Sequence, residues 1–254
     1  MLWYKTWLET RWRFLVGLAV LLCSAAGVVL QYPRVIELLG QMPKVSLGGE
    51  IGRRVQEAVE LSRHYRGYVW SHGFHQDLAQ MGTLFAVVLG TGGFLHFSKG
   101  AALYTLSLPA SRNRLLAIRA AAGLAQWFAM ALLPALLIVL LSPAIGEHYG
   151  FIDALAHGLC LFCAGAVFFS LAALMSTVFG DVWRPVLLSL LVAVVLSIPD
   201  QILPGWSRYS LSGVMGGETF FRTGRLPWLG LLATISISAA FLYAAARNLE
   251  RRDF

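Results

Sequence analysis

Six long stretches without an acidic residue, lysine or arginine dominate the chain: residues 14–33, 78–98, 120–146, 154–180, 185–199 and 226–246. A helix needs about 20 apolar residues to cross the hydrocarbon core of a bilayer, so most of these runs suffice alone. The fifth, at about 15 residues, needs residues 181–184 at its border. The pattern predicts an all-α polytopic membrane protein, a single transmembrane domain over residues 1–254 with six transmembrane helices. Composition agrees, with 57% hydrophobic and only 13% charged residues. The net charge of +7 does not indicate nucleic acid, because the basic residues flank the apolar runs as membrane topology requires.

The segment between the second and third runs, residues 98–119, holds Lys99, Arg112, Arg114 and Arg119 and no acid. Short loops this basic stay in the cytoplasm, whereas residues 147–153 carry no lysine or arginine. An even number of spans then places both termini in the cytoplasm. Pro109 cannot continue a helix and biases Leu108 towards extended backbone, while Ser111 suits the N-cap of a helix starting near Asn113. A short, structured, basic loop of this kind offers a docking surface.

In residues 1–13, Trp3, Trp7 and Phe14 share a helical face, with Tyr4, Leu8, Trp12 and Leu15 beside them and Lys5, Thr6, Glu9 and Arg13 largely opposite. This predicts an interfacial helix that lies on the cytoplasmic face before the chain turns into the bilayer, with Arg11 snorkelling. A cleaved signal peptide is disfavoured, because the apolar run is long and Ala25-Ala26-Gly27 lies inside it. Residues 31–77 form the longest polar segment, predicted to be external. Ile51, Val55, Ala58, Val59 and Tyr65 recur there at helical spacing, between boundaries at Gly48-Gly49 and Gly67. Such a helix would cover a pathway mouth, bind a partner or float on the membrane face. His72, His75 and Asp77 supply potential metal ligands in an expected loop without zinc-type spacing, so no metal site is assigned. Cys160 and Cys163 form a lone CxxC inside a span, where thiols serve packing. Gln80, Gln126 and His157 are polar residues within spans and mark either interhelical hydrogen bonds or a polar pathway. Residues 200–225 mix glycine and proline with short apolar pieces, which predicts an external re-entrant segment.

Thr105-Leu106-Ser107-Leu108-Pro109-Ala110-Ser111-Arg112, followed by an apolar-basic stretch, resembles the cytoplasmic loop of type-2 ABC transporter permeases, also called the ABC-2 family. The resemblance implies a coupling helix at Leu106, Leu108, Pro109, Ser111, Arg112 and Arg114 that rests on a cytoplasmic ABC ATPase present in two copies. It also implies an elbow helix carrying Trp3, Trp7, Arg11, Trp12 and Arg13, hairpins before the last span, a second permease as homodimer or heterodimer, and a place in a cell membrane, the inner membrane of a bacterium. Many members carry a basic-acidic pair ahead of the motif, where this chain has Ser98-Lys99-Gly100. No G-x-x-x-x-G-K-[ST] loop is present, so ATP and Mg would be held by the partner and none by this chain. The implied function is an exporter permease of unspecified substrate. The alternatives are a non-transporting membrane scaffold and an intramembrane serine protease, the latter resting on Gly205-Trp206-Ser207 with His157 as its deep partner.

Overall fold

A computed structural model describes residues 2–41, 50–91, 112–202 and 210–251, and among these there is no strand. Among the described residues four helices are long and apolar enough to cross a membrane: Thr6–Gly40, Arg114–Ile145, Phe151–Val178 and Trp228–Glu250.

Helix α1, Leu2–Gln41, runs about 60 Å at 1.5 Å per residue. The expected turn after residue 13 is absent, so the elbow is not a separate element: nothing between Leu2 and Phe14 breaks a helix, and the first turns simply extend the span. Trp3, Trp7 and Trp12 point outward, with the Arg11 guanidinium over the Trp12 ring at 5.7 Å. The buried stripe is Thr6, Thr10, Phe14, Gly17, Leu21, Ala25, Val28 and Tyr32, at the three- and four-residue steps of a packed helix, with Val29 beside it.

Helix α2, Glu50–Arg63, covers the polar segment, and the Tyr32 hydroxyl donates to the Arg63 carbonyl at 3.1 Å. Beyond His64 the chain is helical again, as α3 (Tyr65–Tyr68), a π-helical stretch (Val69–Leu78) and α4 (Ala79–Thr91). The loop expected around His72, His75 and Asp77 is therefore helix, and the second apolar run is entered from well upstream of residue 78.

Helix α5, Arg112–Leu141, carries Pro134 in its interior and ends in a 3₁₀ turn, Ser142–Ile145, closed by Gly146 at φ 78°. Helix α6, Phe151–Val178, is the axis of the bundle. Its most apolar window is 78% buried, against 33% or less for the other three, and α4, α5, α7 and α10 all pack on it. Helix α7, Trp183–Ile202, turns Leu187, Leu191, Val195 and Ile198 outward. Two short helices, α8 (Leu211–Met215) and α9 (Glu218–Thr223), fall within the expected re-entrant segment, before α10 (Trp228–Glu250).

Aromatic rings gather at one end of the bundle. Tyr32 meets Tyr65 at 4.9 Å, Tyr65 meets Tyr149 at 6.3 Å, and Tyr65 shares a 2.7 Å hydrogen bond with Ser142. Because the Ser142 hydroxyl donates to the Ile138 carbonyl at 2.6 Å, Tyr65 is the donor. Tyr149 is 5% exposed, and its hydroxyl has no hydrogen-bond partner among the described residues. Burial first, and then the Asp153 carboxylate, push its ionisation above the ordinary tyrosine range. The folded state thus holds Tyr149 neutral while the unfolded chain ionises near pH 10, so the stability this neutral form contributes is complete below about pH 10 and is lost as pH rises further. Tyr149→Phe is expected to raise stability at neutral pH by roughly 1 kcal/mol and to flatten the loss above pH 10. Thermal melts across pH 8–11 check this, and an unchanged alkaline slope would exclude it.

Candidate functional site: a cleft between α4 and α7

A cleft of about 670 Å³ opens between α4 and α7, with Phe168 of α6 in its wall and α8 and α9 across one end. This volume lies within the roughly 300–1,000 Å³ typical of small-molecule sites. Trp70, His75, Glu218 and Arg222 gather at one end, while the rest of the lining mixes the apolar Leu84, Phe168, Leu190, Leu196 and Leu211 with the polar Gln80, Thr83 and Ser212.

The polar end is held by specific contacts. Trp70 donates its indole N–H to the Gly216 carbonyl at 2.9 Å and stacks on Phe221 at 4.3 Å with rings 5° from parallel. His75 stacks on the other side of Trp70 at 5.4 Å. The Arg66 guanidinium sits 5.6 Å from Phe221 and pairs with Asp153 at 3.1 Å, tying α9 to the start of α6. Arg222 pairs with Glu218 at 2.8 Å, one turn apart on α9. Gly217, at φ 65°, is required between α8 and α9, because L side chains rarely adopt that conformation and a Cβ there would stand 3.0 Å from the His157 ring.

Of the three intramembrane polar residues singled out by sequence, the structure brings one to the cleft. Gln80 lines it. Gln126 instead donates to Thr10 Oγ1 at 2.7 Å, and Arg119, close by, pairs with Glu9 at 3.2 Å. The polar stripe of the first turns of α1 therefore faces α5 rather than water. His157 is fully buried, with Phe74 at 4.7 Å and Phe220 at 5.4 Å. Its Nδ1 lies 2.7 Å from the Asp153 carbonyl, which only accepts, so the proton is on Nδ1. Nε2 has no hydrogen-bond partner, so no serine among the described residues pairs with it as in a protease. Gly205, Trp206 and Ser207 lie outside the described residues.

Leu106, Leu108, Pro109 and Ser111 also lie outside them, while Arg112 opens α5 and Arg114 is exposed on its first turn. Among the described residues no cluster of His, Cys, Asp or Glu could hold a metal ion. His72 instead stacks on Tyr68, His75 stacks on Trp70, and Asp77 accepts from Ser24 at 3.3 Å. Sequence reasoning passed over Trp70, Thr83, Glu218 and Arg222 as cleft residues. The available signal was the Glu218/Arg222 spacing of four, bracketed by Gly217 and Gly224. No family model matches the chain, and neither the curated proteins nor the solved structures contain one that does.

Proposed function

We propose that the chain is the membrane-spanning permease subunit of an ABC exporter, with six spans and both termini in the cytoplasm of a cell whose membrane it crosses. Under this reading α4 belongs to the second span and α7 to the fifth. Two copies of a separate ABC ATPase bind the basic segment that leads into α5, up to Arg114, a second permease completes the pathway, and the ATPase pair holds ATP and Mg. The chain itself performs no covalent chemistry.

The observation that carries the proposal is the acid-free basic loop with its Leu106 to Arg114 motif, leading straight into α5. The first turns of α5 are clasped to α1 through Arg119–Glu9 and Gln126–Thr10. Force applied to the loop would therefore reach two long helices rather than one. The cleft beside α4 gives such a movement something to act on.

The test is retention of an ABC ATPase that co-purifies with the chain, together with substrate-stimulated ATP hydrolysis. Docking predicts that Arg112→Glu still inserts and folds but loses ATPase, since disrupting a buried charge pair costs about 2–5 kcal/mol against roughly 0–1 for an exposed one. Arg63→Glu, on α2, should retain wild-type association. ATPase retention by both Arg112→Glu and Arg114→Glu would remove charge-assisted docking, and robust hydrolysis by the purified chain alone would remove the permease-subunit reading.

A further inference from the structure

We infer that the first turns of α1 hold an anionic phospholipid, with its phosphate on Arg11 and an acyl chain along Leu15 and Val16. The inference needs only that α1 crosses a bilayer, so it stands or falls separately from the permease reading.

The outward face of α1 changes chemistry along its length. Trp3, Trp7, Arg11 and Leu15 follow one another at steps of four, and Tyr4, Leu8, Trp12 and Val16 form the row beside them, all exposed. The face is therefore largely aromatic over its first turns, carries one cation beside an indole, and is aliphatic from there to Val20. Aromatic rings above an aliphatic stripe match the boundary between head groups and acyl chains, because the ring bodies are apolar and their polar tips are wetted. Two helices put that boundary at one level. The uncharged runs begin at Phe14 on α1 and at Ala120 on α5, and Glu9 and Arg119, which precede them, pair at 3.2 Å. Arg11 lies three residues, about 4.5 Å, before Phe14, within the roughly 5–7 Å that head groups occupy on each side of the core.

Charge selects the lipid. Residues 2–13 and 112–119, brought together by the contacts between α1 and α5, hold six basic residues and one acid. That acid is Glu9, already paired with Arg119. Among the described residues no carboxylate pairs with Arg11, whose guanidinium rests on the Trp12 ring at 5.7 Å. A guanidinium stacked on an aromatic face keeps its N–H fork free at the edge, the geometry that grips phosphate oxygens. A choline or ethanolamine head brings a further cation into this surplus with no carboxylate to receive it, whereas a head group of net negative charge offsets it. An acidic segment of a soluble protein answers the charge but not the stripe, which runs without a break into Leu15, Val16 and Val20, at the depth of acyl chains.

The experiment places the full-length chain in nanodiscs holding equal amounts of phosphatidylglycerol and phosphatidylcholine. One lipid or the other carries a photoreactive group at mid-chain, and the cross-links are mapped by residue. Phosphatidylglycerol should label residues 14–20 about fivefold more than phosphatidylcholine, the ratio to which ~1 kcal/mol for one arginine at an anionic surface converts. Arg11→Gln should bring that ratio close to one, while Arg222→Gln, on α9, should leave it unchanged. Should Arg11→Gln fail to fold, the two-lipid comparison on the natural chain decides alone. Equal labelling by the two lipids, or a preference that survives in a folded Arg11→Gln protein, would overturn the inference. Labelling of α10 by both lipids with none at residues 14–20 would overturn it too, because protein, whether a second copy or another partner, would then cover this face. ATPase retention enters none of these readouts, so the permease reading is neither supported nor removed by them.

Discussion

Gly90→Val is expected to prevent α4 from seating on α6 and to cost about 3 kcal/mol, a large share of the roughly 5–15 kcal/mol by which a folded domain is stable. At Gly90 the two backbones approach closely. A Cβ there would press on the Phe169 carbonyl oxygen and stand 2.9 Å from the Ala172 methyl. A carbonyl tied into a helix cannot swing aside as a flexible side chain can, so the helices must separate. Gly82, Ala86 and Gly90 form a small-residue stripe on α4, the arrangement that lets apolar helices pack closely without a hydrophobic driving force between them. Gly27 is the control, since its Cβ would meet nothing within 4 Å, so Gly27→Ala should be neutral or stabilising by up to about 1 kcal/mol. Thermal unfolding in nanodiscs and the monodisperse fraction after purification report both variants. A Gly90→Val protein that melts with the natural chain would mean that α4 does not pack here.

Arg119→Met should cost about 3 kcal/mol, because it leaves Glu9 facing the interior without its guanidinium. The side chains are 11% and 23% exposed, respectively, so neither can turn freely to water. Glu9→Gln combined with Arg119→Met should recover most of the loss, since two neutral groups replace an orphaned charge. An exposed pair would give a different result, with both single variants within about 1 kcal/mol of the natural chain and no recovery in the double. The same pair of melts thus establishes whether the first turns of α1 face protein or solvent.

That question shows where sequence reading stops. Alternation of Trp and charged residues over residues 1–13 correctly divides the helix into two faces, but amphipathicity alone does not say which face meets the bundle. Beside lipid the usual assignment inverts, and Thr6, Glu9 and Thr10 turn inward because Arg119 and Gln126 wait on α5. The apolar runs that became α5, α6 and α10 were legible because length and absence of charge suffice. The π-helical stretch was not. Its buried residues include Val69/Gly73, Trp70/Gly73, Trp70/Phe74 and Phe74/Leu78, three or four apart as on any α-helix, so nothing in the pattern marks the wider turn. The cleft was legible only at Gln80, because Trp70, Phe168, Leu190 and Glu218 meet there through the tertiary fold and not through any local pattern.

The ten residues wound as π-helix act as a phase adjuster for everything downstream. Bonds that reach five residues back turn the chain through a smaller angle per residue than those of an α-helix, so α4 emerges rotated relative to an unbroken helix of the same length. That offset points Gly90 at α6 and Gly82 between Trp127 of α5 and Leu161 of α6 while leaving Gln80 on the cleft side. Rewinding Val69–Leu78 into α-helix would preserve every residue and every turn of α4 yet swing the glycine stripe away from Phe169 and the polar side chains away from α7. A one-residue deletion in this stretch is therefore a rotation rather than a shortening, and it acts on the helix contact and the cleft together.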